Sequence, residues 1–297
     1  MTKTIYGIIS DIHQRRKEIP MALDALVKQG AHKIIVNGDV GDDFKTIAYT
    51  FECLAKLEIE VYIQPGSHEE LEAYQPIADY FSAKHPFIID TVRNNKIENL
   101  DHSLIFVPGS DLVCGGEYNI VPPNGPKTGL YQTKENNLVK IFNIKDLESI
   151  VTVPEKTIII CHIPRKFESI DTGVDVAEFG EVSKDFYDGI KCIRKGSIYP
   201  IKIASRAIAI GYPVIIKREN RGNTHLKKMY DKLGITKSIS GHFHESAHRA
   251  CDSYGKFVPQ KTPTNNLFWM ASYLDGMKVG VLIVDNHKVS YQNISLI

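Results

Sequence analysis

Asp11-Ile12-His13, Gly38-Asp39, Gly66-Ser67-His68-Glu69, Cys161-His162 and Gly241-His242-Phe243-His244 are the fragments of this sequence best equipped for chemistry. Imidazoles and carboxylates in one place suit Zn, Mn, Fe, Co or Ni rather than Ca or Mg, and together these five fragments offer enough donors for two ions. Two ions held close together can clamp both the attacking and the leaving oxygen of an in-line displacement at phosphorus, so the expected chemistry is the breaking of phosphate esters. Any one fragment is weak evidence, because an Asp-x-His or a His-x-His arises by accident about once in a chain of this size. Their joint placement carries the signal.

Each fragment follows a short apolar run. Residues 4–10, 33–37 and 59–63 are rich in Ile, Val and Tyr and end at polar or Gly/Pro punctuation, the pattern of buried parallel strands. Helix-period segments separate them: one after Pro20 that stops near Gly30, one opened by Asp42-Asp43 with Phe44, Ile47, Phe51 and Leu54 on one stripe, and a third over 69–83. Strand and helix in alternation predict an α/β core with a mainly parallel sheet. Further strands are expected at 87–90, 103–107, 138–142, 157–161, 236–240, 267–273, 278–284 and 288–294, the last three as hairpins or a meander forming an extra sheet. In an open α/β sheet, ligands collect outside the carboxyl ends of the strands. Asp11 and His13, Asp39, the 66–69 loop, His162, and His242 with His244 all occupy that kind of position, so neighbouring parallel strands would aim all five fragments into one site.

Composition bounds the alternatives. With 297 residues, 43% hydrophobic and 24% charged, the chain can bury a large core, and 36 basic against 35 acidic residues leave no net field to draw it to nucleic acid or an anionic membrane. Five widely spaced cysteines without a Cys-x-x-Cys pair argue against a disulfide framework and for a reducing, cytoplasmic setting. No apolar stretch reaches the roughly 18 residues that a spanning helix needs. Two Gly/Pro-rich or irregular regions, at about 108–134 and 163–235, read as loop insertions in a single domain covering 1–297.

In this order the blocks carry a resemblance. Asp-x-His, Gly-Asp, Gly-Asn-His-Glu, a lone His and then Gly-His-x-His form the pattern of the calcineurin-like metallophosphoesterases, and this chain resembles that family in every block from residue 11 to residue 244. The resemblance implies a four-layer αββα sandwich, two mixed β-sheets flanked by helices, with a dinuclear metal site at one edge. It implies that Asp11, His13 and His244 hold the first metal and that Asp39 bridges both. The second metal takes His162, His242 and the position of Ser67, where the family has Asn. A metal-bound hydroxide would be the nucleophile, and His68 would contact a phosphoryl oxygen and protonate the leaving group. An Asn carbonyl reaches about one C–C bond further than a Ser hydroxyl and is the better neutral donor, so the second metal is expected to bind more weakly than the first.

Several neighbours read as ordinary structure. Glu69 suits the first turn of a helix, where the dipole favours a carboxylate, and Asp42 and Asp43 look like capping groups. Arg165, Lys166, Lys217, Arg218, Arg221, Lys227 and Lys228 could grip a phosphate-rich substrate but suit a solvated face better. The other six histidines, at 32, 85, 102, 225, 248 and 287, sit in no block. The expected function is hydrolysis of phosphate mono- or diesters with two divalent transition metals, manganese among them, on a small-molecule or nucleotide substrate. The alternatives are a DNA-repair-type nuclease, disfavoured by the even charge and the lack of an aromatic and basic stripe, and a non-catalytic scaffold of the same fold. No membrane partner is expected.

Overall fold

The computed structural model describes residues 3–111, 117–121 and 142–296, together with the backbone of 129–132 and 138–141. Its first third follows the alternation of the sequence: β1 (Thr4–Ile9), α1 (Ile19–Lys28), β2 (Lys33–Asn37), α2 (Phe44–Ala55), β3 (Glu60–Gln64), α3 (Leu71–Lys84) and β4 (Ile88–Asp90). Pro20 sits in the first turn of α1, where its missing N–H costs nothing, and Gly30 follows the helix at φ 87°, a left-handed stop open to glycine. Asp43 caps α2 by accepting from the Thr46 N–H at 2.7 Å. β1, β2, β3 and β4 pair in parallel in that order.

The chain then builds a second sheet from β5 (Lys96–Glu98) and β6 (Ser103–Val107), a two-stranded pair β7 (Gly129–Gln132) and β8 (Leu138–Ile141), the short helix α4 (Leu147–Ile150) and β9 (Thr157–Cys161). A separate three-stranded antiparallel unit follows, with β10 (Val176–Val182) at its centre, the hairpin β11 (Phe186–Asp188) and β12 (Lys191–Ile193), then β13 (Ile198–Pro200), α5 (Ile201–Ala209) and β14 (Val214–Asn220). After α6 (Thr224–Leu233) the chain returns to the second sheet with β15 (Lys237–Ser240), β16 (Ala250–Cys251) and β17 (Leu267–Met270), and ends in β18 (Lys278–Asp285) and β19 (Lys288–Ser295). The two six-stranded sheets run β19-β18-β1-β2-β3-β4 and β16-β17-β15-β9-β6-β5.

The sheets pack face to face. Tyr6, Ile8, Ile35 and Tyr62 of the first meet Leu104, Phe106, Ile160 and Trp269 of the second in one buried cluster. The opposite face of the first sheet, Ile34 and Val36 among it, is covered by Leu26 of α1, Phe51 of α2 and Tyr74 of α3. On the second sheet, Ile105 and Ile159 pack under Leu147 of α4 and Leu226 and Tyr230 of α6. Both faces of both sheets are therefore dry, which is why the strands read as unbroken apolar runs rather than alternating ones. The result is a four-layer αββα sandwich of two mixed sheets.

Two sequence expectations need correction. The C-terminal strands form no extra sheet: β17 lies parallel to β15 in the second sheet, whereas β18 and β19 are a hairpin whose β18 lies antiparallel to β1 in the first. The turn Asp285-Asn286-His287-Lys288 closes the hairpin, with Asn286 and His287 at φ 49° and 58°, the conformation that fits the twist of two-residue hairpin loops. Periodicity cannot tell which sheet an apolar strand joins. Nor is 163–235 a loop: it carries the three-stranded unit, α5 and α6. Most of 108–134 lies outside the described residues.

Within the three-stranded unit, α5 lies close on the sheet because Gly180 of β10 leaves room. A Cβ at Gly180 would fall 2.3 Å from the Ala204 Cβ and 2.7 Å from Val214 Cγ1. Replacing Gly180 with Val should push α5 off the sheet, at about 1–3 kcal/mol for an overpacked contact. Limited proteolysis should then cut within 183–213 while the remainder of the chain keeps its melting temperature. Unchanged protection of that stretch would contradict this packing.

Candidate metal centre

The carboxyl ends of both sheets open on the same edge of the sandwich. The loop after β1 brings Asp11 and His13, the loop after β2 brings Asp39, and the loop after β3 brings Ser67 and His68; from the second sheet, His162 follows β9, and His242 and His244 follow β15. All five fragments reach one place, three from one sheet and two from the other. The loops are bonded to each other: the Ile12 N–H donates to the Asp39 carbonyl at 2.8 Å, the Gly241 N–H to the His162 carbonyl at 2.9 Å, and the His242 N–H to Asp11 Oδ1 at 2.9 Å. Asp11, His13, Asp39 and His242 all have left-handed backbones, with φ of 51°, 51°, 49° and 76°. Asp and His tolerate that region better than branched residues, yet each instance costs about 1–3 kcal/mol that the surrounding fold must offset. Strain of this kind clusters where side chains must be aimed.

Donors gather in three overlapping groups, each with its ligand atoms within 4.8 Å of one another: His13, Asp39 and His68 form one, which shares a member with each of the other two, Asp11, His13 and His244, and Asp39, His162 and His242. Asp39 Oδ2 lies between them, 3.2 Å from His162 Nε2 and 3.8 Å from His13 Nε2. His162 Nδ1 donates to the Asn37 carbonyl at 2.9 Å, which orients the ring and turns Nε2 toward Asp39. That Nε2 atom is fully buried and has no hydrogen-bond partner. A partnerless buried nitrogen among carboxylates and imidazoles is the environment of a metal ligand, and the donor set fits a divalent transition metal. The backbone makes room for it: a Cβ at Gly38 would fall 2.5 Å from His162 Nδ1, and one at Gly66 2.4 Å from Asp39 Oδ1.

The profile of the calcineurin-like phosphoesterases matches residues 6–246. The chain belongs to that family. The solved structure of TT1561 of Thermus thermophilus overlays all of this chain and all of its own at a TM-score of 0.57 and 10% identity, which shows the shared fold. A dimetal phosphatase from Danio rerio aligns over 99% of each chain at a TM-score of 0.44 and 11% identity. No curated relative matches.

In this calcineurin-like phosphoesterase, Ser67 lies inside the second group of donors. Its hydroxyl is 3.1 Å from both Asp39 oxygens and 3.5 Å from His242 Nδ1, and its N–H donates to Asp39 Oδ1 at 2.6 Å. Two neighbours do more than sequence suggested. Asp42 caps no helix: its Oδ1 sits 2.9 Å from His13 Nδ1 and 2.9 Å from His68 Nδ1, one oxygen serving two imidazoles. Sequence could not separate it from Asp43, which does cap. Glu69 lies ahead of α3 rather than in its first turn. Buried, it accepts from the Gly41 N–H at 3.2 Å and the Gly66 N–H at 2.6 Å, tying the Asp39 loop to the Ser67 loop. Burial and the nearby Asp39 carboxylate push its pKa up to about 7.

A cavity of about 720 Å³ opens over the site, with His13, Asp42, His68, His244 and Tyr273 on one side and Glu178, Pro200, Ile201 and Lys202 of the three-stranded unit on the other. That unit is therefore a cap. The Tyr273 ring stacks on His244 with centroids 4.0 Å apart. The basic residues singled out from sequence stay out of this cavity. Arg165 is buried between the Phe167 and Phe268 rings and bonded to Asp231, whereas Lys217, Arg218 and Arg221 pair with Glu181, Glu178 and Glu219.

Charge in the centre is arranged for cations. Burial works against ionisation of Asp11 and Asp39, but the surrounding imidazoles, His244 and His162 at Asp11 and His162, His68 and His13 at Asp39, hold both carboxyls below their usual range. Burial likewise opposes imidazolium, yet Asp42, Asp39 and Asp11 raise His13 to about 9, and Asp39 and Asp11 raise His162 to about 10. Burial and the charge on His162 lower His242 to about 4. Without metal, His13 and His162 therefore hold protons at neutral pH that must leave before either can ligate. Metal affinity should rise with pH from neutrality up to about 10, with protons released on binding. Titration calorimetry in buffers of different ionisation heat would measure both; an affinity flat across that range would contradict the assignment.

Proposed function

We propose that this phosphoesterase hydrolyses phosphate mono- or diesters of small molecules or nucleotides, with Asp11, His13 and His244 holding one divalent transition metal, Asp39, His162, His242 and the Ser67 hydroxyl a second, and Asp39 shared. The observation that carries the reading is the buried His162 Nε2, which makes no hydrogen bond and lies 3.2 Å from the Asp39 oxygen shared between the donor groups. Bound metals would supply positive charge to the phosphoryl oxygens and acidify a water. The protein supplies the remainder. A scaffold that had lost catalysis would have no need to hold four residues in left-handed conformations around two complete donor sets.

His68 is the proton donor in this reading. Its side chain is 47% exposed and lines the cavity, with Nδ1 anchored to Asp42, so Nε2 is free to reach a leaving oxygen. The hydrogen bond to Asp42 is the main cause of its raised pKa, which keeps imidazolium present above the usual range. Substitution of His68 by Ala should lower kcat by about 10²–10⁴ on alkyl phosphates, whose leaving oxygen needs a proton, and much less on p-nitrophenyl phosphate. Equal losses on both substrates would remove His68 from that role. The exchange Asp42→Asn takes away the charge that holds the proton, so the alkaline limb of the pH profile should move to lower pH; a limb left in place would mean that another group sets it.

Ser67 distinguishes the two sites. Exchanging Ser67 for Asn supplies a longer, better neutral donor, and the weaker of two metal dissociation constants should tighten by about 10–100-fold, the range seen when a supporting metal contact changes. Metal content after dialysis measures it. Two sites already equal and tight in the parent would overturn the asymmetry.

A further inference from the structure

The outer layer of the cap, the hairpin and α5 together with their connections, has a surface unlike the rest of the molecule. Between residues 184 and 210 stand six of the seventeen large hydrophobic side chains exposed among the described residues: Tyr187 at 71%, Ile190 at 102%, Ile198 at 50%, Ile203 at 50%, Ile208 at 41% and Ile210 at 68%. The same stretch holds six basic residues against Asp185 and Asp188, a balance of +4 in a chain whose total is +1, so the remaining residues are net −3. Only Arg194 is neutralised, by Asp185 at 2.9 Å; Lys184, Lys191, Lys195, Lys202 and Arg206 form no ion pair among the described residues. The near-zero total charge thus hides a segregation. The buried side of this layer is fully used, with Ala204 and Ala207 of α5 against Val182 and Val214 and with Phe186 and Ile193 of the hairpin packed beside them. Folding therefore does not account for the exposed isoleucines, and Ile190 at the hairpin tip stands wholly in solvent.

We propose that this face docks on an anionic lipid surface. Exposed aliphatic side chains interspersed with unpaired Lys and Arg are the composition of segments that lie in a membrane interface, apolar groups entering the acyl boundary while the cations meet the headgroups. No helix among the described residues is long and apolar enough to cross a membrane, and docking from one side needs none. A second copy of the chain fits the face poorly, because a two-fold interface brings each patch against itself and would set +4 against +4. A nucleic acid would satisfy the charge but not the isoleucines, since bases need aromatic platforms and Tyr187 is the single exposed aromatic in the stretch. The face also adjoins the rim of the catalytic cavity, where Pro200, Ile201 and Lys202 open α5, so docking would bring that opening to the lipid surface.

The test uses the full chain and reads binding, so it is independent of hydrolysis. Co-sedimentation with vesicles of phosphatidylcholine alone is compared with vesicles of phosphatidylcholine mixed with phosphatidylglycerol. The expectation is binding to the mixed vesicles only, weakened by salt. Exchanging both Lys191 and Lys195 for Gln should reduce it by more than tenfold, at about fivefold for each basic residue near the surface. Exchanging Ile190 and Ile210 for Ser should reduce it comparably at constant charge, and neither exposed pair should change the melting temperature. Any of these results would overturn the proposal: no preference for the anionic vesicles, vesicle binding untouched by the Ile190 and Ile210 exchange, or a reversible dimer in sedimentation that the isoleucine exchange abolishes, which would assign the face to a second copy. Salt-sensitive binding of single-stranded DNA in place of vesicle binding would do the same in favour of a polyanion.

Discussion

The carboxylate of Asp39 is the point on which the site depends. It is buried, and its two oxygens are divided between support and function: Oδ1 accepts the N–H groups of Ser67 at 2.6 Å and His68 at 3.1 Å, and Oδ2 faces His162 and His13. One side chain thereby fixes the loop after β3 and faces both donor groups. A buried carboxylate without partners would be prohibitively costly. Here the cost is offset by backbone donors and by imidazoles from both sheets. The same argument explains the close glycines: Gly38 and Gly66 are bare because their neighbours must approach Asp39 and His162 more closely than any Cβ allows.

That constraint reaches outward through two further carboxylates. Glu69 binds the Asp39 loop to the Ser67 loop through two N–H groups, and Asp42 holds His13 and His68 from the solvent side. Removing charge from either would act through geometry before it acted on chemistry, because the imidazoles would keep their identity and lose their aim. The sandwich behind them provides rigidity. With Trp269, Tyr6 and Tyr62 wholly buried between the sheets, the strand ends that carry the donor residues cannot shift independently.

The cap is a different kind of element. Its own small core, Val182, Ala204, Ala207 and Val214, is separate from the three clusters that hold the sandwich together, and it meets the site across a cavity. An insertion of this type can change what reaches the candidate site without disturbing how the donor residues are held. The even charge balance of the chain concealed it: sequence totals average over surfaces, whereas a partner meets one face at a time.

The convergence of the candidate donors was legible in the sequence because each of Asp11, His13, Asp39, His162, His242 and His244 follows a strand, and the position of a residue after a parallel strand largely determines the edge it faces. The α/β alternation was legible for the same reason, through apolar runs after which helices follow, whereas the four-layer αββα arrangement was implied by the family resemblance alone. Other features were decided only by tertiary structure. Asp42 and Asp43 are chemically identical neighbours, and which of them caps a helix and which orients imidazoles depends on where α2 begins relative to His13. The C-terminal hairpin joined the first sheet beside β1, and 163–235 folded into a cap, because strand pairing and insertion packing depend on long-range contacts that leave no local period in the sequence. Local chemistry named the candidate donors; the meeting of two sheets at one edge brought them together.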